Sequence, residues 1–305
     1  MTLLAILGVL SSAIYSGTSL LYATLGEVVS ERSGIVNLGL EGVLLVSAAT
    51  GVAVASTTSN PYLGIVAAML AGGPMNLMFG YLVITRKANQ LASGLATMFL
   101  GFGLSALIGN KFVGVKIAVL PRLLLPGLAG LPRLYTSLFR FDFLIFLVIP
   151  VALLVWWLLF RTRWGLGLRA VGENADIAFA SGRNPLWIRY QALSLAGSLA
   201  GLGAAHLAIA YTMSWTEYMT IGRGFIAVAL VIFSKWHPLR AIAGVLIFSG
   251  AGAFQLLMQA SGVQISPFLL DTIPYLITIL ILIAWGGNRK QAAPASLGRV
   301  YQGTV

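Results

Sequence analysis

Long apolar runs of about 20 positions, broken by short polar clusters, dominate this chain and predict membrane-spanning α-helices. The runs fall at roughly 3–25, 35–57, 62–84, 91–109, 141–160, 190–212, 221–236, 239–260 and 267–285, about nine spans with eight to ten as the bounds. Because they are continuously apolar rather than alternating, they do not fit a β-barrel. The expected fold is an all-α polytopic membrane protein, one transmembrane domain over 1–305.

Composition sharpens this picture. Apolar residues make up 58% of the 305 positions and charged ones 9%, with a mean hydropathy of +0.92, outside the range of soluble domains. The chain has no cysteine, which removes disulfides, thiolate metal sites and a cysteine nucleophile from consideration. The opening MTLLAILGVLSSAIYSG lacks a cationic leader, so a retained first helix is expected rather than a signal peptide.

The net charge of +11 does not point to nucleic acid in a chain this apolar; lysine and arginine collect in loops and set orientation. If the loop over 161–189 is cytoplasmic, span parity puts thirteen of the 19 cations on that side. The carboxyl terminus is then cytoplasmic. Arg223 counts with the opposite side, as does the basic loop 110–140, where Pro121, Pro126 and Pro132 predict short interfacial pieces.

Two patterns bear on helix assembly. Asn60-Pro61-Tyr62-Leu63 and His237-Pro238-Leu239-Arg240 each precede an Ala/Gly-rich span, which suggests an inverted internal repeat of the kind that frames a substrate path in many transporters. Ala196, Gly197, Ala200, Gly201 and Ala204 form a small-residue stripe suited to close helix contact in lipid.

Polar residues inside apolar runs are the candidates for chemistry. Asn37 and Glu41 lie four apart on one helix face beside Gly34, Gly39 and Gly42. An acid there could line a substrate path or satisfy backbone amides where a helix is interrupted. Asn89 and Gln90 open the fourth span, where capping competes with substrate contact. Trp215, Glu217 and Tyr218 read as an outer loop with interfacial aromatic anchors. His206 and His237 make no metal pair, His206 having no ligand nearby in sequence. No zincin, nucleophile-elbow or Walker motif is present, so an enzyme is not expected, and if the chain moves something uphill with ATP the hydrolysis must occur on another chain. An ion-coupled secondary transporter of a small polar solute is the alternative; it would need paired intramembrane acids, for which only Glu41 qualifies.

The polar stretch RTRWGLGLRAVGENADIAFASGRNPLWIRY from Arg161 is too ordered for a plain connector. Arg161, Arg163 and Arg169 suit an acidic or lipid-headgroup margin. This stretch, together with Glu31-Arg32-Ser33-Gly34-Ile35-Val36-Asn37-Leu38-Gly39-Leu40-Glu41-Gly42 and Gly222-Arg223-Gly224-Phe225-Ile226-Ala227, resembles the permease of bacterial ATP-binding-cassette importers for simple sugars, branched-chain amino acids and nucleosides, nearest the branch linked to basic membrane lipoproteins. The resemblance covers nearly the whole chain.

It implies a coupling surface for a separate ATPase at Arg169, Gly172, Glu173, Asn174, Ala178 and Gly182, with ATP and Mg on that partner and no cofactor or metal on this chain. It also implies a second, non-identical permease, a substrate-binding lipoprotein and a place in the bacterial inner membrane. The solute expected is a nucleoside or a simple sugar, with Asn37, Glu41, Asn89 and Gln90 offering hydrogen bonds along the path.

Overall fold

Three Asx-Pro or His-Pro pairs show how this sequence starts its helices. Proline at the first helical position needs no amide partner, and a preceding asparagine caps the amides that follow. Asn60 accepts from Tyr62 and Leu63, and Asn184 from Leu186 and Trp187; His237 stands at the same position before Pro238 without a side-chain cap bond. A computed structural model describes residues 3–124, 138–262, 266–285 and 293–299.

The helices are α1 (Leu3–Arg32), α2 (Leu40–Thr58), α3 (Pro61–Gly80), α4 (Gln90–Gly109), α5 (Phe143–Arg161), α6 (Arg163–Glu173), α7 (Ala175–Ala180), α8 (Pro185–Ala205), α9 (Arg223–Phe233), α10 (Pro238–Ala260), α11 (Pro267–Asp271) and α12 (Ile273–Trp285). Wide π-type turns extend α3 over Tyr81–Thr85 and α8 over His206–Tyr211. A small antiparallel ladder pairs β1 (Arg122–Leu124) with β2 (Arg140–Asp142). The predicted interfacial pieces at Pro126 and Pro132 fall among 125–137, outside the described residues.

Seven of these segments are long and apolar enough to cross a bilayer. The polytopic all-α expectation therefore stands, with three changes of detail. The first helix runs on to Arg32, carrying Glu27 and Glu31 into the buried interior, each 1% exposed. The run at 221–236 forms an 11-residue helix, about 16 Å long and thus half the hydrocarbon thickness. The run at 267–285 divides into α11 and α12.

α2 and α8 are the most enclosed of the long helices. The small-residue stripe of α8 faces α3, and there Gly72 and Gly197 cross back to back: a Cβ on Gly197 would lie 2.3 Å from the Gly72 carbonyl oxygen. Contact this close exchanges side chains for backbone packing, the usual basis of helix association in lipid.

One face of the bundle gathers Arg32, α6, α7 and residues 293–299. The Arg32 guanidinium donates to the carbonyls of Trp236 and Lys235 at 2.9 and 3.5 Å. Ser296 N–H donates to the Gly172 carbonyl at 2.9 Å, and Gly298 N–H to that of Gly34 at 3.2 Å. Residues 161–189 and 293–299 thus share a side, while β1 and β2 lie at the other end of α1.

Candidate functional site

A buried carboxylate lies where the start of α2 meets the start of α9. Glu41, in the first turn of α2 and 4% exposed, accepts Thr220 Oγ1 at 2.5 Å and Gly222 N–H at 2.8 Å on Oε1, and Gly224 N–H at 2.6 Å on Oε2. The last two donors open α9, whose amides have no partners within the helix and carry its positive dipole end. Gly222 takes a left-handed φ of 78°, and Gly224 lets α9 abut α2, since a Cβ there would fall 2.4 Å from the Glu41 nitrogen. The Gly-x-Gly spacing is thus explained by the carboxylate it surrounds. Of the two readings of Glu41, the geometry favours the satisfaction of backbone amides.

Asn37 and Gln90 hold the irregular segment before α2. Asn37 is fully buried. Its Nδ2 donates to Asn76 Oδ1 at 2.5 Å, its Oδ1 accepts from Gly39 N–H, and its own N–H donates to Glu27 Oε1 at 3.0 Å. Asn76 in turn donates to the Leu193 carbonyl at 2.7 Å. Gln90 accepts from Val36 N–H at 2.9 Å and donates toward the carbonyls of Gly34 and Arg299. Asn89 is exposed and caps α4 through Ala92 N–H. Non-helical backbone at membrane depth requires such partners.

A cavity of about 840 Å³ lies toward the β1–β2 end, between α1, the end of α8, residues 212–223, α10 and α12. That volume falls within the usual range for small-molecule sites. Its hydroxyl-rich wall includes Ser12, Ser16, Tyr211, Thr212 and Ser249; Asn37, Glu41, Asn89 and Gln90 do not line it. Arg223 reaches in from the start of α9, its Nη1 donating to the Ser16 carbonyl at 3.1 Å and to Ser19 Oγ at 3.0 Å. Arg223, counted with the outer side at the start of the run 221–236, heads the short α9 with its guanidinium turned onto α1. A serine at positions 11, 12, 16 and 19 of the first span was the available signal for this wall.

Three other expectations change here. Trp215 is fully buried rather than an interfacial anchor, its indole lying against Gly109. His206 does have a partner, Asp142 at 3.5 Å, yet no group of three metal-ligating side chains occurs among the described residues. Glu27 and Glu31 form the buried acid pair that the sequence did not reveal; Glu31 accepts the Trp236 indole N–H at 2.6 Å.

The polar loop folds into α6 and α7. Thr162 caps α6 through Gly165 N–H, and Asn174 caps α7 through Asp176 and Ile177 N–H at 3.0 and 3.1 Å. Gly172 packs on the end of α1, where a Cβ would meet the Arg32 carbonyl oxygen at 2.1 Å. Ala178 is buried, Glu173 and Gly182 are exposed, and the Arg169 guanidinium lies 5.0 Å over the Phe160 ring. α7 turns two large apolar side chains outward beside the exposed Asp176: Ile177 is 65% and Phe179 51% exposed. Sequence reasoning passed over both, though two large apolar residues in a short polar segment were visible.

His237 stacks on the other side of this cluster, 5.1 Å from Phe160. Burial first, then Arg240 and Arg32, push its imidazole below the ordinary histidine range, so the fold favours the neutral ring. The stability this contributes is complete above the unfolded value near ~6.5 and is lost as pH falls from there toward the folded value. Thermal unfolding in detergent should show wild-type stability declining as pH drops below about 6.5, with a flatter profile for His237→Asn. Parallel profiles would contradict this.

Comparison with known proteins gives a consistent result. A family model described as branched-chain amino acid transport system / permease component matches residues 9–284. TsgC13 of Haloferax volcanii, named provisionally as a glucose ABC transporter permease protein, is 35% identical over 322 residues, covering 96% of this chain and 97% of its own. The guanosine ABC transporter permease protein NupQ of Bacillus subtilis is 32% identical, covering 95% of each chain. The nucleoside ABC transporter permease protein NupC of Lactococcus lactis is 32% identical, covering 94% of each. No solved structure matches.

Proposed function

The chain belongs to the branched-chain amino acid transport system / permease component family, and from that premise we propose that it forms half of the pore of an ATP-driven importer for a small neutral solute, a nucleoside first and a simple sugar second. It is a multi-pass membrane transport subunit and not an enzyme. ATP and Mg are bound and used on a separate ATPase. A second, non-identical permease completes the pathway, a binding lipoprotein delivers solute, and the carboxyl terminus faces the cytoplasm across a bacterial inner membrane.

One observation carries this reading: α7, which displays Ile177 and Phe179 outward, is joined to the interior by close contacts. Ile177 and Phe179 offer the ATPase a surface to grip. Gly172 transmits movement to the end of α1 by direct backbone contact, and Arg32 links that end to the Lys235 and Trp236 carbonyls after α9. α9 is a short lever whose other end carries Arg223 at the cavity. Motion at the membrane surface therefore has a route of direct contacts to the solute path.

The Glu27–Glu31 pair is the one feature that favours an ion-coupled carrier, since buried acids on one helix face are the mark of proton or sodium coupling. Each is held through one oxygen, Glu27 by Asn37 N–H and Glu31 by the Trp236 indole, and the second oxygen of each is buried without a partner among the described residues. Affinity purification of the tagged chain from its native membrane separates the readings. An importer should bring with it a cassette ATPase and a second permease; recovery of this chain alone from a fully active membrane would favour the carrier.

A further inference from the structure

The cavity holds more positive than negative charge for a site within a membrane. Arg122, Arg140 and Arg223 line it against a single acid, Asp271, and Asp271 already accepts a hydrogen bond from Gln255 Nε2. Glu41 lies behind Arg223 and offsets part of its charge, but it does not line the cavity: its oxygens face Thr220, Gly222 and Gly224, so Arg122 and Arg140 keep the lining positive. The Arg122 guanidinium lies 5.3 Å over the Tyr15 ring and that of Arg223 5.9 Å from the Tyr211 ring. Tyr15 spends its hydroxyl on the Ala210 carbonyl at 3.0 Å.

Of the three cations, Arg223 sits deepest and is fixed best. Nη1 is the nitrogen engaged by the protein, with Ser16 and Ser19. Guanidinium has five N–H donors in a rigid fork, so Nε and Nη2 remain to serve a guest. An arginine held at the head of a half-helix, with apolar walls beside it, focuses a positive potential into the cleft; such clefts change local ion concentration by roughly 10–10³-fold.

We propose that this cavity is a solute chamber for neutral or anionic hydroxylated molecules bearing a hydrogen-bond acceptor, and that Arg223 is the residue that excludes cations from it. The serine and threonine wall pairs with the hydroxyls of the guest, the tyrosine rings cover its faces, and Arg223 donates to a carbonyl or ring nitrogen. This deepens the importer reading and rests on it for the chamber's use in transport, while the charge rule stands on the cavity alone.

The absence of cysteine makes a direct test simple. Ser12→Cys places one thiol in the chamber of the full chain, and Thr57→Cys places one on the exposed end of α2 as a reference. Modification rates are compared for an anionic sulfonatoethyl and a cationic trimethylammonioethyl methanethiosulfonate. After division by the reference ratio, the chamber thiol should favour the anionic reagent by about tenfold or more. Adding Arg223→Gln should bring the ratio close to one, and adding Arg223→Lys should keep most of it. The melting temperature of each variant confirms that the fold is retained.

A normalised ratio near one in Ser12→Cys alone, or a ratio unchanged by Arg223→Gln in a folded protein, would overturn the charge rule. Millimolar guanosine or glucose should slow the chamber thiol's reaction at least twofold; no protection by either would overturn the solute chamber. Failure of ATP-driven uptake with the charge preference intact would instead count against the importer reading.

Discussion

Glu41→Ala is expected to lower the melting temperature of the detergent-solubilised protein by roughly 6–10 °C, the equivalent of about 3–5 kcal/mol. The side chain accepts three hydrogen bonds from donors that have no other partner in place: Thr220 Oγ1, Gly222 N–H and Gly224 N–H. Removing the acceptor leaves two amides at the start of α9 unpaired at membrane depth, and each orphaned donor costs about 1–3 kcal/mol. The loss also uncovers the positive end of the α9 dipole. Glu41→Gln should cost less, about 1–2 kcal/mol, because one oxygen remains to accept, while its amide N–H₂ faces donors. An alanine variant that melts with the wild type would show that the carboxylate does not hold α9 in place.

Ile177→Asp combined with Phe179→Asp should reduce ATP-driven uptake by more than about 100-fold while leaving the fold intact. Both side chains are more than half exposed, so their replacement uncovers no core, and surface changes of this kind shift stability by only about 0.5 kcal/mol. At a docked interface the same two residues act as apolar anchors, each contributing about 2 kcal/mol or more when central, and two aspartates add a desolvation cost against an apolar groove. The measurements are uptake in proteoliposomes holding the whole complex, together with the melting temperature of the isolated permease. Retained uptake in the double variant would place the energy input elsewhere on the molecule. Changing Gly172 would be a poorer test, because its contact with the Arg32 carbonyl makes misfolding a competing explanation.

The all-α membrane architecture was legible in the apolar runs because length and continuity decide a membrane span almost alone. The glycines at 34, 39 and 42 were also recognisable as allowing a broken or tightly packed backbone, and Gly222-Arg223-Gly224 as the start of a span. Their partnership was not legible: Glu41 and Gly224 are 183 residues apart, and nothing in local spacing says which amides an acid will meet. Arg223 was counted with the outer charges at the head of an apolar run, because such a run does not reveal that the helix within it has only 11 residues and starts inside the bundle. Glu27 and Glu31 were placed outside the membrane for the related reason that charge usually ends a span, whereas here protein rather than lipid surrounds it. The coupling stretch was recognisable from its polarity, but the inward packing of Gly172 and Ala178 and the outward display of Ile177 and Phe179 depend on how α6 and α7 turn against α1.

The most direct measurement is uptake of labelled guanosine and glucose by proteoliposomes containing the chain with its ATPase, second permease and binding protein, compared with vesicles containing the chain alone under a proton or sodium gradient. Accumulation only in the complete complex, only with ATP, and lost with the Ile177/Phe179 double substitution is the expected result. Accumulation by the chain alone, driven by the ion gradient and indifferent to ATP, would contradict the mechanical coupling through α7, Gly172 and α1.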